Sequence, residues 1–371
     1  MKSVLVTGVN GFIGRNLAVA LQQFDHVELL RYGSGNTIEQ LKEYVAKADF
    51  IFHLAGVNRP LDPSEFARGN RDFTETLIHC IQETGRTIPI LLSSSIQSAL
   101  DNPYGRSKKD AENIVMQYGE SSGADVYVYR LPNVFGKWCR PNYNSVVATF
   151  CYNIANNLEI QMNDANTELN LVYIDDVIEE LVQALFGEAH QIHDGFCRVQ
   201  RTFTITLGEL ADLLYSFKES RDTLIVQNQA DDFERLLYAT YLSYLNEMDF
   251  SYQLEMKHDN RGWLAEFIKS YHMGQIFISR TKPGITRGNH WHHSKVEKFL
   301  VIDGDASIKF RQISSDQEIE YRVSGNELQV VDIPPGYTHS ITNTGERDVL
   351  TLFWASEIFN PEKADTYYLE V

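Results

Sequence analysis

The sequence predicts two successive architectures: an α/β layer built on a parallel sheet, then an all-β barrel or jelly roll. Three observations predict this. The first half alternates apolar runs of strand length with stretches of helical periodicity, the rhythm of βαβ units. After about residue 247 the rhythm changes to short strands punctuated by turn residues. The chain has 371 residues, too many for one ordinary domain at about 150 residues each.

In the first half, Val4-Leu5-Val6 precedes a helical stretch from about Ile13 to Gln23. Strand-length runs follow at Val27–Leu30, Phe50–Leu54, Ile88–Leu92 and Val126–Tyr129. In the second half, strands are predicted at Gln275–Ser279, Val296–Val301, Ala306–Phe310 and Leu328–Val331. Asp303-Gly304-Asp305, Ser324-Gly325-Asn326 and Pro334-Pro335-Gly336 supply turns between them. The division is expected at residues 1–247 and 248–371.

Composition excludes several classes. Lys plus Arg number 33 and Asp plus Glu 50, a formal net charge of −17. Such a chain repels a polyphosphate backbone, so nucleic acid is excluded as a general partner. No apolar run reaches the roughly 18–20 residues that cross a bilayer, so membrane insertion is not expected. The apolar stretch at the N-terminus is too short for a secretory signal. Cys80, Cys139, Cys151 and Cys197 form no CxxC pair, which fits free thiols in a reducing cytoplasm.

Gly8-Val9-Asn10-Gly11-Phe12-Ile13-Gly14 lies between the first strand and the first helix. Glycines serve there where the backbone turns tightly and approaches a pyrophosphate, and the helix N-terminus offers unpaired N–H groups to the phosphates. Arg31 ends the second strand, where an acidic residue would bind the ribose 2′-hydroxyl of NAD. An arginine pairs instead with a 2′-phosphate, which favours NADP. Tyr104 and Lys108 are four apart, on one helix face. A nearby ammonium is expected to lower the tyrosine pKa and make it a usable general acid or base. Ser93-Ser94-Ser95 closes the apolar run upstream, where a hydroxyl can orient a substrate oxygen.

These segments, with Asp49–Gly56, Arg130–Gly136 and Val172–Val177, resemble in order the extended short-chain dehydrogenase/reductase family, which acts on nucleotide sugars. The resemblance covers residues 1 to about 245 and implies a Rossmann-type fold. It implies Tyr104 as catalytic acid, Lys108 as its electrostatic partner and ribose ligand, and Ser95 as third member. It also implies Gly8, Gly11, Phe12, Ile13, Gly14, Arg31, Leu54 and Ala55 as the NADPH site. Between Arg31 and Asp49 the chain is short for the family, which predicts a reduced element there. Lys137, Arg140, Arg198 and Arg201 are the cations nearest the expected nucleotide-diphosphate region and receive no individual role.

The second half carries Gly284-x5-His290-x-His292-x4-Glu297-x6-Gly304 and Pro334-Pro335-Gly336-Tyr337-Thr338-His339-x3-Asn343. Residues two apart on a strand face the same way, so His290 and His292 point together. Glu297 has the wrong parity for one straight strand, so it joins them only if the chain bends near Ser294-Lys295. His293 faces away and is left out, while His339 arrives from a later strand. Three imidazoles and a carboxylate suit Zn²⁺, Fe²⁺, Mn²⁺, Ni²⁺ or Cu²⁺, with Zn²⁺ first. The two motifs resemble the cupin family over residues 250–371, whose metal ligands carry over to His290, His292, Glu297 and His339. Asp259–Glu266 is similar to the opening of sugar-modifying cupins.

The pairing resembles bifunctional nucleotide-sugar enzymes of capsular polysaccharide synthesis. It implies that the cupin epimerises C3 of a UDP-2-acetamido-2,6-dideoxy-4-keto-hexose. The reductase then delivers hydride from NADPH to C4, giving the L-talose sugar on the way to UDP-N-acetyl-L-fucosamine. A homodimer is implied for both families. His258, His272, Lys298 and Tyr337 are candidate bases by type. Two alternatives stay open: a reductase whose cupin only binds or dimerises, and a redox sensor that binds NADP(H) without turnover. The metal is either catalytic or structural.

Overall fold

The computed structural model describes every residue except Leu61, His193 and Asp194. It divides into two compact units, Met1–Leu214 with Leu236–Asn246, and Tyr215–Arg235 with Glu247–Val371.

In the first unit five strands form one parallel sheet: β1 (Lys2–Thr7), β2 (Val27–Tyr32), β3 (Phe50–His53), β4 (Ile90–Ser95) and β5 (Val126–Leu131). Their order is β2-β1-β3-β4-β5, so the winding reverses beside β1. In such sheets the crevice at the carboxyl ends of the strands, at that reversal, is where ligands bind. Strands covered on both faces read as unbroken apolar runs, and Val4, Leu5 and Val6 are accordingly fully buried. The short stretch after Arg31 carries a single helix, Ile38–Lys47, started by a reciprocal Thr37/Gln40 cap. It leads into the four-residue β3. Helix Pro103–Ser122 starts at Asn102, whose side chain accepts from the Gly105 N–H, and stops at left-handed Gly123 (φ 72°). A separate sheet of β6 (Asn133–Phe135), β7 (Glu168–Tyr173) and β8 (Phe203–Thr206) completes the unit. The returning segment is tied in by the Tyr244 hydroxyl, which donates to the Cys139 carbonyl at 2.6 Å.

From Met256 to Tyr368 the second unit is built of antiparallel strands, the architecture its turn spacing predicts. They are β9 (Met256–Asp259), β10 (Gly262–Ser270), β11 (Gly274–Thr281), β12 (Thr286–Trp291), β13 (Glu297–Asp303) and β14 (Asp305–Gln312). Then come β15 (Glu318–Ser324), β16 (Val330–Ile333), β17 (Tyr337–Asn343), β18 (Val349–Ala355) and β19 (Tyr367–Tyr368). One sheet runs β16-β13-β18-β11-β10-β9 and the other β15-β14-β17-β12-β19. Phe299, Val331 and Phe353 of the first sheet and Ile308, Phe310 and Ile341 of the second form one core. Residues that precede 247 also belong here: Lys269 donates its N–H to the Leu224 carbonyl at 2.7 Å and accepts from Val226 at 2.8 Å. That adds a short parallel segment to the edge of β10. All four cysteines are free, and no helix among the described residues is long and apolar enough to cross a membrane.

Candidate active site and candidate metal centre

The glycine loop sits at the carboxyl end of β1 and is fixed by backbone crowding. Gly8 has φ 70°, and a Cβ on it would stand 2.6 Å from the Ala55 nitrogen. A Cβ on Gly14 would stand 2.2 Å from the Gly8 carbonyl oxygen. Leu54 and Ala55 close the facing wall, their N–H groups donating to the Thr7 carbonyl and Oγ1, each at 3.3 Å. Helix Phe12–Leu21 opens at Gly11 with no side-chain cap and no acidic residue in its first turn. The N–H groups of Phe12, Ile13 and Gly14 are therefore left for an external anion, and the cradle fits a pyrophosphate. Arg31 pairs in register with Val6 at the end of β2 and is exposed beside this loop. Gly14→Ala is expected to cost about 1–3 kcal/mol from overpacking. NADP(H) binding should be lost with it, read by fluorescence titration together with thermal melting.

The three serines separate by their partners. The Ser93 hydroxyl reaches the His53 carbonyl at 3.5 Å, and Ser94 donates to buried Glu112 at 2.5 Å. Ser95, half-buried, hydrogen-bonds the Tyr104 hydroxyl. Gly105 permits this approach, since a Cβ there would lie 2.3 Å from the Gln97 carbonyl and 2.4 Å from that of Leu100.

The expected lowering of the tyrosine pKa by Lys108 does not occur. Burial pushes Tyr104 above its ordinary value and only the Ser95 hydrogen bond opposes it. The physical reason is direction: the Lys108 ammonium is buried and donates to the Ser93 carbonyl at 2.6 Å. Tyr104 therefore stands protonated at neutral pH, as a proton donor requires.

Burial lowers Lys108 from 10.5 to about 8, against the opposing charge of Glu112. Between these values the unfolded chain holds more protons than the folded one, so folding stability rises with pH across that window. Relative to Lys108→Met, the parent should gain up to about 3 kcal/mol between pH 8 and 10.5. Denaturant unfolding at several pH values checks this. A difference that stays flat refutes it.

Sequence reasoning missed Asn70. It lies in a π-helical turn, Ala67–Asp72, a local geometry common at functional sites. Its amide donates to the Ser107 hydroxyl and the Val57 carbonyl, both at 2.9 Å, and Ser107 donates to the Tyr104 carbonyl at 2.8 Å. Buried His53 bridges Thr7 and Thr74 at 2.8 and 2.9 Å. Burial, with the Lys108 charge, lowers it to about 3, so the ring is neutral. No periodic pattern announces either residue. Of the unassigned cations, Lys137 pairs with Asp175 and Arg201 with Asp176, each at 2.5 Å. Arg140 lies over the Tyr143 ring, and Arg198 lines an open cleft of about 300 Å³ with His190 and Gln200.

In the second unit β12 and β17 pair with His290 opposite His339, after a bulge at Gly288-Asn289. Asn289 takes φ 58° and Gly288 φ 98°, and such bulges re-aim side chains. The chain bends at His293-Ser294, and Glu297 then opens β13. One ligand atom each from His290, His292, Glu297 and His339 all lie within 4.8 Å of one another. The Glu297 carboxylate stands 3.1 Å from His292 Nε2 and 3.3 Å from His339 Nε2. The latter nitrogen is buried and makes no hydrogen bond. Burial lowers His290 to about 4. Burial alone would raise Glu297, but the imidazoles of His292 and His339 beside it hold it well below the carboxylate range. An orphaned buried nitrogen facing two imidazoles and a carboxylate fits a divalent transition cation. His293 stays outside, against Trp291 and Tyr367. Lys298 pairs with Asp332 on the outer face, and His258 and His272 are exposed. Tyr337 packs against the core.

Comparison with known proteins agrees with both halves. Residues 4–192 match the NAD dependent epimerase/dehydratase family, and residues 257–367 the polysaccharide biosynthesis C-terminal domain. The chain is 45% identical over 368 residues to a UDP-2-acetamido-2,6-beta-L-arabino-hexul-4-ose reductase of Pseudomonas aeruginosa, covering 99% of this chain and 98% of the relative. The crystal structure of the capsular polysaccharide assembling protein CapF from Staphylococcus aureus superposes with a TM-score of 0.93 at 49% identity, over 99% of this chain and 100% of that one. A UDP-glucuronic acid 4-epimerase of Bacillus cereus, at 16% identity and TM-score 0.55 over 65% of this chain and 98% of its own, shares the fold alone. The first unit is thus that of an NAD(P)-dependent oxidoreductase. The chain belongs to the NAD dependent epimerase/dehydratase family and, along its whole length, to the family of CapF.

Proposed function

We propose that this protein is a bifunctional, NADPH-dependent enzyme of capsular polysaccharide synthesis acting on a UDP-2-acetamido-2,6-dideoxy-4-keto-hexose. The observation that carries it is the coexistence of two complete constellations: Ser95–Tyr104 beside Lys108 under the glycine cradle, and the closed cluster of three histidines and Glu297. The Pseudomonas relative, named a reductase of a UDP-4-ulose sugar, supports this substrate class.

In the second unit, the reaction moves the C3 proton, acidified by the C4 ketone, to a base that exchanges it with solvent, and a solvent-derived proton is delivered to the opposite face of C3. His290, His292, Glu297 and His339 hold the cation, and Zn²⁺ there supplies Lewis acidity toward a ketone oxygen. In the first unit, NADPH supplies hydride to C4. The Tyr104 hydroxyl gives its proton to O4 as the carbonyl becomes an alcohol, and Ser95 orients that oxygen. The Lys108 ammonium keeps the site cationic for the anionic cofactor. Arg31 accepts the 2′-phosphate. The product is the UDP-L-talose sugar that leads to UDP-N-acetyl-L-fucosamine, and the working form is a cytoplasmic homodimer.

One specific observation favours a second reading. Four protein ligands can close a metal site as a structural one, leaving a reductase with a binding or dimerisation module. Incubating the protein with the 4-keto sugar in D₂O, with and without NADPH, separates them. Deuterium at C3 without NADPH is expected. NADPH oxidation with no exchange leaves only the reductase, and neither signal sinks both readings.

A further inference from the structure

The last residues of the chain lie across the strands that carry the four ligands. β19 pairs with β12 at His290 and Trp291. Leu369 donates its N–H to the Asn289 carbonyl at 3.0 Å, and its own carbonyl accepts from Thr338, next to His339. At the centre of this strap is Asp365. Its backbone carbonyl lies 2.5 Å from His292 Nδ1. A carbonyl can only accept, so Nδ1 carries a proton, and Nε2 is the nitrogen left facing Glu297 and the other ligand atoms. The Asp365 carboxylate meanwhile accepts from the backbone N–H groups of His293 and Ser294 at 2.8 Å and Lys295 at 3.0 Å, and from the Ser294 hydroxyl at 3.0 Å. Three successive N–H groups converging on one anion make a small nest. This nest is the bend without which Glu297 has the wrong parity to join the histidines. Buried Lys295 reinforces it by donating to the Thr366 hydroxyl at 2.9 Å.

We propose that Asp365 is a positioning residue of the metal centre. Its carbonyl fixes the ring and tautomer of His292, and its carboxylate fixes the bend that returns Glu297 to the cluster. Partners of this kind, one shell out from a metal, set ligand orientation and basicity. The inference rests on the metal-site reading above and adds to it a residue 68 positions beyond the last ligand of the first motif, Glu297.

The test strips the full-length protein of metal and titrates Co²⁺ against a competing chelator, recording the visible d–d spectrum. Melting of the metal-free protein is followed in parallel. The parent is expected to bind Co²⁺ with a low-symmetry spectrum; a parent that binds none overturns the metal-site reading itself. Asp365→Ala should weaken Co²⁺ binding about 10–100-fold and alter the spectrum of the bound ion. Asp365→Asn keeps the volume and the backbone carbonyl but turns a donor toward the nest, and should fall between the two; it carries the test if the alanine variant does not fold. A parent that binds Co²⁺ while both variants match it to within about twofold, with the same spectrum, overturns the proposal. So does an affinity loss that merely tracks a fall in metal-free melting temperature while the spectrum stays unchanged.

Discussion

Tyr104→Phe is expected to lower the rate of NADPH oxidation by the 4-keto sugar about 10²–10⁴-fold, the usual contribution of a positioned general acid. NADPH binding should stay within about twofold, because the substitution leaves the glycine cradle, Arg31 and Lys108 untouched. Deuterium exchange at C3 should continue at the parental rate, since the site proposed for that step is in the other unit. The hydroxyl is partly buried, protonated and hydrogen-bonded to Ser95; removing it deletes the proton source and little else. Stopped-flow absorbance of NADPH with a parallel NMR exchange assay reads both quantities. Reductase activity within about fivefold of the parent would show that another group delivers the proton, and simultaneous loss of exchange would refute the division of labour.

Glu297→Gln should have an effect as large on the other half. The side chain keeps its volume but loses the one negative charge among the four ligands, and a transition cation prefers a deprotonated oxygen. Metal content by mass spectrometry after dialysis against chelator should fall from near one per chain to near zero. Exchange at C3 should fall with it, while NADPH oxidation of a substrate already epimerised at C3 should persist. Full metal retention would remove Glu297 from the ligand set. Metal loss with undiminished exchange would make the cation structural. The metal-free form carries a separate cost: the carboxylate is held in its charged state by facing imidazoles. A neutral amide loses that attraction, so the metal-free melting temperature should fall as well, and metal content and exchange are read below it.

Much of this is legible in the sequence. Parity alone placed His290 with His292, excluded His293 and demanded a bend before Glu297, and the chain turns at His293-Ser294. Parity could not say what holds that bend. The carboxylate that does so comes from Asp365, and contacts so distant in sequence leave no local pattern. Likewise a glycine motif between a strand and a helix is readable, because the crowding that requires Gly8 and Gly14 is local to the loop and its neighbouring strand end. The direction of the Tyr104 shift was not. A four-residue helical spacing puts Tyr104 and Lys108 on one face, but a lysine stem is long enough for its charge to go elsewhere, and here it goes to the Ser93 carbonyl. Three adjacent serines look alike in sequence; only the fold, by committing Ser93 and Ser94 to buried acceptors, leaves Ser95 for the tyrosine.

The Leu224–Val226 segment that pairs with Lys269 has a bearing on how the chain is made. Because Tyr215–Arg235 folds with the second unit and Leu236–Asn246 with the first, the backbone leaves the first unit, returns to it and leaves again. A ribosome therefore cannot release a finished first unit before the second begins to emerge. Evolution or an engineer also cannot exchange the two by a single cut near residue 247 without baring the β10 edge to another strand. Recombination of such enzymes has to move two stretches of sequence together, which ties the history of the reductase half to that of its neighbour.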